Sequence, residues 1–151
     1  MDSTMLIGGF AIFHYPLLRY RKGQSITIPE DAVAALVYNG DVQRALWPGD
    51  QVRVPRGWQE KGRTVLWLMR RSPFVVQIEN ERGHFRLQLE VVDAFKLAVA
   101  VLDGQFSQGN VLQSTCDRAC NAAGITVESI AEIVSIKAEK IGIQCLKAWR
   151  V

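Results

Sequence analysis

His84-Phe85-Arg86-Leu87-Gln88-Leu89-Glu90-Val91-Val92-Asp93-Ala94-Phe95-Lys96-Leu97-Ala98-Val99-Ala100-Val101-Leu102 changes its period at Asp93. Up to Val92, apolar Phe85, Leu87, Leu89 and Val91 alternate with polar His84, Arg86, Gln88 and Glu90, which predicts a strand with one buried face. Beyond Asp93, Phe95, Leu97, Ala98, Val101 and Leu102 recur at helical spacing until Gly104. Asp93 is placed to cap that helix, its carboxylate accepting from the backbone N–H groups of the first turn. A sheet region therefore precedes this junction and a helical region follows it.

Upstream, from Gly23 to Val92, the punctuation is that of short strands and tight turns. Ser25 to Ile28 alternates and stops at Pro29. Ala32 to Tyr38 is an apolar run ending at Asn39-Gly40, a dipeptide suited to a type I′ hairpin because both central residues must take positive φ. Val42 to Leu46 is its return strand. Trp47-Pro48-Gly49-Asp50 reads as a turn with Pro fixing φ and Gly free to take the positive value. Gln51 to Pro55 alternates like a half-buried strand, and Thr64 to Met69 is continuous enough for a central one. Phe74 to Ile78 pairs with the quoted strand through the charged loop Glu79 to Gly83.

Downstream, a second helix begins at Gly109 or Asn110, carries Val111, Leu112, Thr115, Ala119 and Ala122 on one side, and stops at Gly124. Ile125 to Ile136 reads as a strand, and Ile141, Ile143 and Cys145 as a last strand towards Trp149, while Lys137 to Lys140 suits either a helix extension or a connection. The expected fold is α+β: a mostly antiparallel sheet of short strands with two helices packed on it. Residues 1–22 form an apolar N-terminal segment and residues 23–151 a single domain.

Composition supports one ordered core. In 151 residues, 48% are apolar and 22% charged, near the average for soluble globular proteins. Three cysteines cannot supply a disulfide framework and no cleavable leader pattern opens the chain, so a reducing, cytoplasmic location is expected. Net charge is +3, too small to signal a polyanion binder alone. Residues 1–75 hold ten basic and six acidic groups against eight and nine in the remainder, which puts the excess in the first half. Arg53, Arg56, Lys61, Arg63, Arg70 and Arg71 face only Glu60 there, and Trp58 lies among them. The plain reading is a set of solvated strand-end and loop charges, and the functional one a patch for phosphate groups. With Trp47, Trp58 and Trp67 interleaved, the patch also suits a single-stranded nucleic acid, the alternative function for this chain.

Met5 to Leu18 is almost uncharged but too short to cross a bilayer, which takes about 20 residues. It is either a buried strand or a strand covering an open sheet edge, or else an interfacial or re-entrant element. In the second case Phe10, Ile12, Phe13, Leu17 and Leu18 enter the head-group boundary while Arg19, Arg21 and Lys22 rest on anionic lipid.

Catalytic chemistry has little to draw on. His14 sits in an apolar run and His84 on the polar face of a strand; no nucleophile motif or phosphate-cradling glycine loop occurs. Cys116 and Cys120, four apart on a helix, lack the two further ligands a structural zinc site wants and read as small apolar thiols packed on the sheet. Cys145 is an odd thiol with no implied partner. No metal, cofactor or catalytic residue is expected.

Three stretches are similar to one family. Ala34 to Gly49, an apolar strand, Gly-containing turn, second strand and Pro48-Gly49, resembles the opening of SPFH (band 7, stomatin/prohibitin-like) domains. Leu87 to Leu97 resembles that family's strand running into a helix through an Asp-x-x-Lys-Leu-like junction, and Gly124-Ile125-Thr126-Val127-Glu128-Ser129-Ile130 its Gly-Ile-x-Val strand after the second helix. The resemblance covers residues 25–136. It implies a non-enzymatic scaffold that self-associates or binds protein partners, with a membrane surface as a further site of attachment.

Overall fold

The computed structural model describes residues 3–7, 10–16, 25–53, 64–71, 73–106, 111–122 and 124–151, with the backbone alone for the first two segments and for Thr64. The fold is α+β, with antiparallel sheets of short strands and three helices among the described residues. The strands are β1 (Ser3–Ile7), β2 (Phe10–Pro16), β3 (Ser25–Thr27), β4 (Ala32–Tyr38), β5 (Asp41–Leu46), β6 (Gln51–Arg53), β7 (Thr64–Arg70), β8 (Phe74–Asn80), β9 (Gly83–Val91) and β10 (Ile143–Arg150). The helices are α1 (Ala94–Leu102), α2 (Val111–Asn121) and α3 (Val127–Ala138), the last continued by a 3₁₀ turn over Glu139–Ile141.

A five-stranded sheet runs in the order β1-β2-β7-β4-β5, with the apolar run of β7 at its centre. Strand β4 reads as an unbroken apolar segment because both of its faces are covered. Val33, Ala35 and Val37 join the main core, whereas Ala32, Ala34 and Leu36 join a second cluster with Ile28, Leu46, Val52 and Leu66. The two-stranded ribbon β3-β6 supplies Val52 and Ile26 to that second cluster. Asn39 (φ 50°) and Gly40 (φ 81°) make the β4-β5 turn with two positive φ angles, as the type I′ reading requires. The turn at Trp47–Asp50 closes with the Asp50 N–H donating to the Trp47 carbonyl at 3.0 Å, and Gly49 takes φ 87°.

The second sheet is β10-β9-β8. Phe85, Leu87, Leu89 and Val91 of β9 are all buried, as their alternation predicts. They pack with Leu97 and Ala98 of α1, Leu112 and Cys116 of α2, and Ile130 and Val134 of α3. Helix α1 contacts β4 and β5, α2 contacts β8, and α3 lies along β10, so the helices tie the two sheets into one core. Asp93 caps α1 as expected, its carboxylate accepting from the Lys96 N–H at 3.1 Å.

One expectation is corrected. The span Ile125 to Ile136 is not a strand: helix α3 occupies it from Val127 onwards, so the described residues hold three helices where two were expected. The β-branched content suggests alternation, but Ile130, Val134 and Ala138 are the buried positions, four apart along one stripe. The start of the helix is fixed by Thr126 and Ser129. The Thr126 N–H donates to Ser129 Oγ at 3.3 Å, and the Ser129 hydroxyl returns a bond to the Thr126 carbonyl at 2.9 Å. Serine at the third helical position replaces the Glu or Gln of the usual capping box.

Strand β10 follows a 3₁₀ turn and carries a bulge. Cys145 pairs with Leu89 and Lys147 with Gln88, which leaves Leu146 as the extra residue. Ser135 of α3 satisfies the backbone beside it: its Oγ accepts from the Cys145 N–H at 3.0 Å and donates to the Cys145 carbonyl at 3.1 Å. Ser135→Ala removes both bonds at a half-buried position and is expected to cost about 1–3 kcal/mol, read as a lowered urea midpoint with an unchanged slope. A loss within error of zero would mean that water replaces the hydroxyl.

Candidate functional site

The residues singled out in the sequence are distributed as follows. Arg53 ends β6 opposite Ser25, Arg70 ends β7 opposite Ala32, and Arg71 donates its N–H to the Asp31 carbonyl at 2.6 Å. All three side chains are exposed. Arg56, Trp58, Lys61 and Arg63 lie outside the described residues. Trp67 is only 6% exposed and belongs to the core, which closes it to base stacking, whereas Trp47 is 48% exposed at its turn. Phe10, Ile12 and Phe13 fall in β2, whose backbone pairs with β1 on one side and β7 on the other. That arrangement extends the sheet beyond β7 by a hairpin. Leu17, Leu18, Arg19, Arg21 and Lys22 lie outside the described residues. No described helix is long and apolar enough to cross a membrane.

His84 is exposed with Nε2 3.7 Å from Glu79 Oε1, a solvated strand-end pair worth little. Cys116, Cys120 and Cys145 are all buried in the main core. Burial raises Cys116 to about 12, with the neighbouring Cys145 and Cys120 thiols adding to it. Burial likewise raises Cys120 and Cys145 to about 11. Thiols held this firmly protonated are poor nucleophiles and poor metal ligands. Among the described residues no three His, Cys, Asp or Glu side chains are grouped to hold a metal.

Two surface features have no counterpart in the sequence pattern. The first is an apolar row on α1: Val92 just before the helix and Phe95 and Leu102 on it are each more than a third exposed. Phe95 and Leu102 are seven apart, two helical turns on one side. Their share in the helical period hides them, because an apolar residue at the boundary of a buried stripe looks in sequence like part of it.

No family model matches this chain, and no curated protein matches it either.

The second feature is an open groove of about 1180 Å³ bounded by α1 and the turn after it, by α2 from Val111 to Arg118, and by the end of α3. Lys96 and Asp103 of the α1 segment, Arg118 of α2, and Lys137, Glu139 and Lys140 around the end of α3 line it. Four cations face it against two carboxylates. Ile136, 67% exposed, forms an apolar part of the wall. Strand β10, at the border of its sheet, is blunted by contrast: the Leu146 bulge twists the edge and Lys147 places a charge on it. Lys147 Nζ lies 5.4 Å from the Trp149 ring centre, which partly covers that indole.

Proposed function

We propose that this chain is a non-enzymatic docking and assembly domain of SPFH-like type that associates with a second copy or a protein partner through the outer side of α1. The observation that supports this is the row Val92, Phe95 and Leu102, left exposed on a helix whose other side is locked into the core by Leu97 and Ala98. Full burial of an exposed apolar side chain of this size contributes about 1.5–3 kcal/mol, and covering the third or so of each residue still open gains the corresponding fraction of that, summed over the three. The resemblance of Ala34 to Gly49 and of Leu87 to Leu97 to that family points the same way, whereas its third stretch, Gly124 to Ile130, opens helix α3 instead of forming the strand the resemblance implies. Peripheral attachment to anionic lipid through the N-terminal segment is the membrane part of the proposal, carried by its apolar residues and the following Arg19, Arg21 and Lys22.

Mass measurement by light scattering at tens of micromolar, with and without anionic vesicles, tests both parts. A mass above the monomer that falls on dilution is expected. Replacing Phe95 and Leu102 by Asp should return the monomer while leaving the circular dichroism unchanged. A wild-type chain that stays monomeric and captures no partner through α1 removes the docking proposal. A chain that fails to float with vesicles at low salt removes the membrane part.

A further inference from the structure

We infer that the groove between α1, α2 and α3 binds a small molecule carrying two or more phosphate groups. This goes beyond the assembly proposal and does not depend on it. Lys96 of α1, Arg118 of α2, and Lys137 and Lys140 at the end of α3 and in the 3₁₀ turn that continues it come from three separate segments and open onto one concavity. Asp103 and Glu139 answer only half of that charge. Among the described residues none of the four cations lies within salt-bridge distance of a carboxylate. Like charges converging on a concave surface reinforce one another within a Debye length of about 8 Å, which favours a ligand with several negative groups over a single one.

Helix ends account for part of the set but not all of it. Lys137 in the last turn of α3 and Arg118 in that of α2 lie where a cation offsets the negative end of the helix. Lys96 is the third residue of α1, at the positive end, where a cation is disfavoured. Its place in the groove is therefore not a helix-capping one. The groove has room for a small molecule with several phosphate groups, and exposed Ile136 offers apolar contact to the uncharged part of such a molecule.

Isothermal titration of the whole chain with pyrophosphate and with inositol hexakisphosphate, beside sedimentation with vesicles containing a phosphorylated inositol lipid, tests this. One saturable site is expected, weakening as salt rises. Lys137→Gln/Lys140→Gln should weaken it by at least about tenfold and Lys96→Gln by several-fold, since charge-assisted bonds are lost. Arg53→Gln/Arg70→Gln, on the other basic region, should leave it unchanged. Binding to the soluble compounds marks a free phosphate ester as the source, and binding confined to the vesicles marks a lipid head group; either supports the site. No saturable binding to any of the three probes overturns it. So does equal affinity in Lys137→Gln/Lys140→Gln with the thermal midpoint preserved, or a polyglutamate peptide binding as tightly as the phosphates.

Discussion

Replacing Gly142 by alanine is expected to destabilise the domain by at least about 3 kcal/mol, a large loss for the addition of a single methyl group. Gly142 has φ +73°, in the left-handed region where a side chain costs about 1–2 kcal/mol. Its carbonyl accepts from the Val92 N–H at 2.8 Å and from the Asp93 N–H at 3.1 Å, so its backbone is pinned against the place where β9 passes into α1. A Cβ there would collide with the Asp93 carbonyl oxygen, and would lie 3.0 Å from the Asp93 carbonyl carbon and 3.2 Å from the Leu97 N atom. These are main-chain atoms and cannot rotate away as a side chain would. Gly124→Ala supplies the comparison, because Gly124 has nearly the same φ, +74°, and a methyl group added there would meet no atom within 4 Å. Its loss should stay near the conformational cost alone, about 1–2 kcal/mol. Chemical denaturation of both variants separates collision from backbone strain. Equal losses would show that the β9-α1 junction does not press closely on Gly142.

That junction also shows how far sequence reading reaches. The change of period at Asp93 locates the end of β9, the cap and the start of α1 because each depends on neighbours within a few residues. The Asn39-Gly40 hairpin and the Trp47–Asp50 turn are legible for the same reason: positive φ is a local demand with a local solution. Helix α3 is not, because Ile125, Val127 and Ile133 alternate well enough to imitate a strand and its cap uses Ser129 where Glu or Gln is the readable sign. The pressing contact at Gly142 joins residues almost 50 positions apart and leaves no trace in either segment alone.

The groove is hidden more thoroughly. Lys96, Arg118, Lys137 and Lys140 are spread over 45 residues that also contain Asp103, Asp117, Glu128, Glu132 and Glu139, so this half of the chain looks electrically balanced. Helix geometry then sorts the signs: only Asp103 and Glu139 of those carboxylates line the groove with the four cations. A charge count along the chain weighs residues by adjacency, whereas the field at a surface weighs them by distance in space. The basic excess near Arg53, Arg70 and Arg71 is visible in sequence because it is contiguous.

The three thiols carry the second large effect. Cys116 and Cys120 come to the core from α2, and β10 brings Cys145 close enough for its ionisation to be felt by both. With Cys116 raised from 9.0 to about 12, its thiolate fraction at pH 8 falls roughly a thousandfold below that of a free thiol, and Cys120 and Cys145, raised to about 11, fall roughly a hundredfold. Reaction with a disulfide reagent at pH 8 should therefore proceed only through opening of the fold, while the denatured chain releases three equivalents at once. The same shifts set a pH dependence. Because the folded chain holds these protons more tightly than the unfolded one, their contribution to stability is complete below about pH 9 and is lost as pH rises towards 11 and then 12. In that window each neutral buried thiol costs up to about 1.4 kcal/mol of stability per pH unit. Urea midpoints measured from pH 8 upwards should fall more steeply for the parent chain than for Cys116→Ala/Cys120→Ala/Cys145→Ala, whose lower starting stability does not enter the slope. Parallel slopes, or a native thiol that reacts as fast as a free one, would mean that water reaches the sulfurs, and with it that the core in which α2 packs on β8 and α3 is not the sealed one on which the placement of α1, α2 and α3 around the groove depends.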